Sequence, residues 1–255
     1  MTPQFIQAAD GCQLAFYVQG QGEPLVLLSG QAQDHSIWRL SLPFLSAHFQ
    51  VILVDYRGTG ASDKPKTPAY SLLDFATDII QVLHHLKLSQ AHIYGLSMGG
   101  RVAQLLGIHY PTYVKSLILG ATTPGKQGIA RDAQANAWLQ AGDIKHMVAL
   151  MYSADFAQAH PDLIAPCPTP AYARRLHYLA SEAHDALQDL KHIYAPSLIL
   201  HGTDDRINPT ANAYLMAEQL PNAQLCLLEN AKHGYIDEYA EQACQLIVKF
   251  IQNLP

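Results

Sequence analysis

Residues 94–100 read Tyr-Gly-Leu-Ser-Met-Gly-Gly, directly after the apolar run at 91–94. Three glycines around one hydroxyl are costly inside a regular element, because glycine loses more backbone freedom on folding than any other residue. The stretch follows a predicted strand, 91–96, and opens a predicted helix, 98–109. In that setting Gly95 to Gly99 fits G-x-S-x-G, a sharp strand-to-helix turn that presents a nucleophile. Lacking Cβ atoms, Gly95 and Gly99 let strand and helix approach closely, and Gly100 helps the helix pack. Ser97 is then forced into a strained conformation with its hydroxyl pointing out from the sheet. The helix N-terminus supplies N–H groups and the positive end of a dipole.

The rest of the chain supports a sheet around this turn. Short continuous apolar runs at 25–28, 51–54, 114–119, 197–201 and 223–228 suit parallel strands covered on both faces. Residues 12–18 read as a strand of an N-terminal hairpin. Helical patterns lie between the strands, at 71–88, 98–109, 210–220 and 237–252. Alternating strands and helices argue for a mostly parallel sheet with helices on both sides. The segment 122–190 breaks the rhythm, with helix-like stretches at 130–152 and 171–189 divided by the proline-rich PDLIAPCPTPA at 161–171. We read it as a helical insertion over the carboxyl edge of the sheet, because too few residues remain for a second independent core. The expected division is a core of residues 1–121 and 191–255 and a cap of residues 122–190.

Composition limits the function. With 255 residues, 49% of them hydrophobic, the chain can bury one large α/β core. Net charge is −5 and no block of like charges occurs, which argues against nucleic-acid or membrane-surface partners. No apolar run reaches the roughly 18 residues that a membrane helix needs. The N-terminus offers no basic region followed by an apolar stretch, so no secretory signal is expected. Cys12, Cys167, Cys226 and Cys244 are scattered and form no C-x-x-C pair, so neither a zinc site nor a disulfide framework is indicated. The expected compartment is the cytoplasm, and no metal or organic cofactor is implied.

A serine alone is a weak nucleophile and needs a base and an orienting carboxylate. In the strand–turn–helix template these follow in the order Ser, Asp, His. Strand 197–201 runs into HGTDDRINP, where Asp205 fits G-x-x-D-x-x-x-P and Asp204 competes with it. Of 13 histidines, His233 is the one placed after the last strand and before the last helix. It is the expected base, with Asp205 as its orienter. An oxyanion hole needs two backbone N–H groups. Met98, next to the nucleophile, and Gln31, in the loop after strand 25–28, are the candidates.

These residues resemble the α/β-hydrolase superfamily nearly end to end. VDYRGTGASD at 54–63 looks like its D-x-R-G-x-G-x-S stretch, a tight structural loop, and Trp38 looks like its packing anchor. The resemblance implies the α/β-hydrolase fold: a mostly parallel eight-stranded sheet flanked by helices, with a helical cap inserted after strand 6. Many members carry His-Gly where this chain has Ser29-Gly30; serine there also occurs in members similar to 3-oxoadipate enol-lactonases. Members that are dehalogenases or epoxide hydrolases use Asp at the elbow, so Ser97 disfavours both. The resemblance therefore implies a serine hydrolase acting on a small-molecule carboxylic ester through an acyl-enzyme.

Narrower readings stay open. One is a biotin-pathway pimeloyl-acyl-carrier-protein methyl ester esterase, in which Arg174 and Arg175 would receive the acidic carrier protein. Another is an enol-lactonase or a C–C bond hydrolase, and a third is a non-enzymatic ligand receptor on the same fold. Trp138, Met151 and Tyr152 are candidates to line the acyl pocket. Core packing explains such residues equally well.

Overall fold

The computed structural model describes residues 1–164 and 168–254. Cys167 and the middle of the proline-rich stretch lie outside the described residues. Eight strands form one sheet: β1 (Gln4–Gln7), β2 (Gln13–Gln19), β3 (Pro24–Leu28), β4 (Gln50–Val54), β5 (Ala91–Leu96), β6 (Val114–Gly120), β7 (Ser197–Gly202) and β8 (Ala223–Leu228). Their order is β1-β2-β4-β3-β5-β6-β7-β8. β2 is antiparallel to both β1 and β4, and every other pairing is parallel.

Alternation within the strands builds a core on each side of the sheet. In β3, Val26 and Leu28 join one apolar cluster while Leu25 and Leu27 join the other. The first cluster includes Phe75 and Ile79 of the helix Leu72–His85 and Val102 and Leu106 of the helix Met98–His109. The second includes Trp38 and Ile247 and Ile251 of the helix Ala240–Gln252. All six residues of β5 and of β7 are buried, as strands covered on both faces require.

The helices differ from the sequence expectation at their ends. The first starts with a capping box between Ser71 and Asp74 and stops at His85, because Lys87 turns left-handed at φ 57°. The pattern at 130–152 is two helices, Ala133–Ala141 and Ile144–Met151. Gly142 closes the first at φ 63°, and Asp143 caps the second by accepting the His146 N–H. The pattern at 171–189 shortens to Ala171–Ala183. There the chain pairs with the exit from β6 instead, through Lys126 N–H to His184 O at 3.0 Å and Ala186 N–H to Pro124 O at 2.8 Å. The last predicted helix splits into Tyr235–Glu238 and Ala240–Gln252. No helix among the described residues is long and apolar enough to cross a membrane.

The topology sets where a ligand can sit. The strand order reverses at β3, which has β4 on one side and β5 on the other. Crevices at such reversals, beyond the carboxyl ends of parallel strands, are where open α/β sheets bind ligands. The β3 loop, the Ser97 turn after β5, and the loops after β7 and β8 all open there. The turn itself is close-packed: a Cβ on Gly95 would collide with the Gly99 carbonyl, and one on Gly99 with the Leu28 carbonyl. Both obstacles are backbone and cannot swing away. Gly99→Ala is therefore expected to destabilise the protein by about 1–3 kcal/mol through overpacking, read as a lower urea midpoint with an unchanged slope.

Candidate active site

Ser97 has φ 55° and ψ −116°, a conformation that L-residues rarely adopt. Hydrogen bonds hold it from three directions. Its N–H donates to Gly120 O at 2.8 Å, its carbonyl accepts from Thr122 Oγ1 at 2.7 Å, and Gly100 N–H reaches the same carbonyl at 3.0 Å. β6 and its exit thus clamp the turn that β5 delivers.

Asp205 follows β7 and His233 follows β8, and the sheet brings both to Ser97. His233 Nε2 lies 3.1 Å from Ser97 Oγ, and His233 Nδ1 lies 2.7 Å from Asp205 Oδ2. An ionised carboxylate can only accept, so Nδ1 carries the proton and Nε2 is free to accept from the serine hydroxyl. Asp205 Oδ1 accepts from the Ile207 and Asn208 amides at 2.9 and 2.8 Å. Its neighbour Asp204 is exposed and does not reach the histidine. Burial alone would raise the Asp205 pKa. The facing His233, hydrogen-bonded to the carboxyl, and His201, whose Nε2 lies 3.4 Å from Oδ2, together outweigh burial and hold the carboxyl well below the usual range.

A cavity of about 500 Å³ opens over Ser97. Gln31, Met98 and His233 line it, and so does Met151 from the helix Ile144–Met151. A second chamber of about 480 Å³ shares Gln33, Met147 and Met151 with the first. Its walls are mainly apolar, with Ile37, Leu96, Ile144, Val148 and Ile236, and Arg174 lies on its border. The other expected binding residues are placed differently from one another. Trp138 is outside the Ser97 cavity, stacked on His146 with centroids 4.3 Å apart. Tyr152 borders the second chamber only, and its hydroxyl donates to Asp237 at 2.6 Å. Arg175 is exposed and lines neither chamber.

Several residues at this site escaped the sequence reading. The Gln33 side chain covers Gly30 beside Ser97. Ser29, singled out in the sequence, accepts from Trp38 Nε1 at 3.2 Å and donates to Asp34 O at 3.1 Å, so it braces the β3 loop. Arg101, Arg131, Asn136 and Glu182 also line the Ser97 cavity. No motif marks any of them, since each depends on contacts between distant segments.

The β3 loop is tied to the segment between β6 and β7. His177, on the helix Ala171–Ala183, lies 2.9 Å from Arg57 O through Nε2 and accepts the Ala32 N–H on Nδ1 at 3.4 Å. Thr169 Oγ1 donates to Ala32 O at 2.9 Å. These bonds require a neutral imidazole, protonated on Nε2. Burial pushes the His177 pKa down to about 4. His184, also buried, is pushed down to about 3.

Among the described residues no cluster of three or more histidine, cysteine or carboxylate side chains could hold a metal ion. The family model for the alpha/beta hydrolase fold matches residues 23–146. Pimeloyl-[acyl-carrier protein] methyl ester esterase of Aeromonas hydrophila is 29% identical, over 91% of this chain and 96% of that protein. The 3-oxoadipate enol-lactonase 2 of Acinetobacter baylyi is 28% identical, over 88% and 87%. Among solved structures, an esterase from Exiguobacterium antarcticum superposes with a TM-score of 0.86 at 25% identity, covering 99% of this chain and all of that one.

Between about pH 6.5 and 4 the unfolded chain takes up a proton that folded His177 refuses. The His177 contribution to stability is therefore full above pH 6.5, falls as pH drops, and is gone below about 4. The loss at His177 is roughly 3 kcal/mol. Denaturant titrations across this range should show a shallower acid loss in His177→Gln than in wild type.

Proposed function

We propose that this chain, which belongs to the α/β-hydrolase superfamily, is a serine hydrolase that cleaves small carboxylic esters through an acyl-enzyme. The observation that carries the reading is His233 bridging Ser97 Oγ at 3.1 Å and Asp205 at 2.7 Å.

Ser97 Oγ attacks the ester carbonyl while its proton passes to His233 Nε2. Asp205 keeps the proton on Nδ1 and offsets the imidazolium charge that forms. The tetrahedral oxyanion lies against the Met98 and Gln31 amides, at the positive end of the helix Met98–His109. Collapse expels the alcohol, which takes the proton from His233. Water then repeats the sequence on the acyl-enzyme, giving the acid and free Ser97. Residues 122–190 act as a cap. Together with the β3 loop they divide the space beyond the sheet into two chambers, room for the acyl and alcohol parts of an ester.

A carrier-bound ester is the second reading, favoured by Arg174 beside the apolar chamber with Arg175 exposed next to it. Replacing both, Arg174→Glu with Arg175→Glu, should slow turnover of an acyl-carrier-protein methyl ester and spare a small free ester. Equal rates on the carrier-bound ester would remove this reading.

For the main reading, steady-state kinetics on a panel of short-chain esters should show Asp205→Asn lowering kcat by at least about 10³-fold, with a small change in KM. Retention of most of the kcat would contradict the role given to Asp205.

A further inference from the structure

The Ser97 cavity contains a cation that the proposed ester chemistry does not use. Arg101 lies one helical turn beyond Ser97, on the same face of the helix Met98–His109, and is 8% exposed. Its hydrogen-bond partners are neutral. Nη1 donates to Ser181 O at 2.6 Å and Ser181 Oγ at 3.0 Å, and Nη2 donates to Thr123 Oγ1 at 3.0 Å. Nε is buried with no hydrogen-bond partner among the described residues. Glu182 is the nearest carboxylate, 4.0 Å away and 44% exposed. The same Oε1 lies 3.8 Å from Arg131 Nη2, so two guanidinium groups share one solvated carboxylate.

A buried charge without a contact partner is strongly unfavourable unless something completes it. A plain cross-link between the elbow helix and residues 123 and 181 could be made by an uncharged donor. Burial pushes the Arg101 pKa down to about 10, which leaves it charged at neutral pH. Both arginines line the Ser97 cavity and also an adjoining chamber of about 260 Å³. In the Ser97 cavity, two cations face one carboxylate, a balance that one further negative charge completes. That matches a carboxylate better than a phosphate dianion, and guanidinium forks suit carboxylate geometry.

We infer that Arg101 and Arg131 form a subsite for a free carboxylate on the substrate, so that the ester cleaved at Ser97 is one arm of a dicarboxylic acid or a similar acid ester. The inference rests on the serine hydrolase reading for its reacting end. Arg101 anchors the carboxylate from the floor of the cavity, and Arg131 closes on it from the segment after β6. Glu182 competes with the substrate for the same charges.

The test is a series of monomethyl esters of straight-chain diacids, succinate to suberate, each compared with its dimethyl ester. Wild type should favour the monoacid by about tenfold or more in kcat/KM at one or more chain lengths. Arg131→Gln, on a partly exposed side chain, should cut that ratio severalfold, and Glu182→Gln should raise it. Arg101→Gln should abolish it, with thermal unfolding recorded to confirm a folded variant. A readout independent of turnover is stabilisation of wild type by the free diacids, which Arg131→Gln should weaken. Equal or better use of the diester at every length, or a monoacid preference unmoved by Arg131→Gln, overturns the subsite. Loss of all ester turnover with no covalent labelling of Ser97 by a fluorophosphonate refutes the hydrolase reading instead. In that event the diacid stabilisation still decides the subsite: a shift weakened in Arg131→Gln supports it, and no shift overturns it.

Discussion

Everything at the candidate site depends on one backbone conformation. Ser97 at φ 55° is unfavourable by itself, on the order of 1–3 kcal/mol. It persists because its surroundings leave no alternative: Gly99 packs against the Leu28 carbonyl, and Gly120 and Thr122 hold the Ser97 amide and carbonyl. The strain lifts the hydroxyl out of the sheet and starts a helix immediately behind it. A relaxed serine at this position would point elsewhere, and His233 would have nothing to accept from.

The second constraint is that the loops of the sheet and residues 122–190 meet at the site. The β3 loop that carries Gln31 is held by Thr169 and His177. The His233 loop and the helix after it are held from residues 149–153. Lys232 Nζ donates to Ala149 O at 2.8 Å, Gly234 N–H to Met151 O at 2.9 Å, and Ser153 N–H is bonded to Glu238. Gln31 and His233, the proposed amide donor and base, are therefore anchored to elements that also line the chambers. Displacing residues 122–190 would shift Gln31 and His233 along with the walls of the chambers.

The sequence made the sheet and the elbow readable because those signals are local. Apolar runs of four to six residues mark the inner strands, whereas β8, expected to be covered on both faces, is an edge strand with only Leu228 buried; G-x-S-x-G between a strand and a helix has a steric explanation that needs no partner. Asp205 and His233 were expected from their place after particular strands, and the sheet brings both next to Ser97. Residues 122–190 were expected as an insertion, and their helix boundaries were not readable in detail. Gly142 and Asp143 cut one expected helix into two, and Trp138, expected at the pocket, stacks on His146. A short amphipathic helix carries no mark of which apolar surface it will face. Arg101 and His177 were invisible for a related reason. Their meaning comes from Ser181, 80 residues away, and from Ala32, 145 residues away.

The central claim is that Ser97 is a nucleophile activated by His233. The most direct measurement is covalent labelling by a fluorophosphonate, with the modified residue located by peptide mass spectrometry. One adduct per chain is expected, on Ser97, with none in Ser97→Ala and a labelling rate that collapses in His233→Ala. No adduct on wild type, or equal labelling of Ser97→Ala, would contradict it.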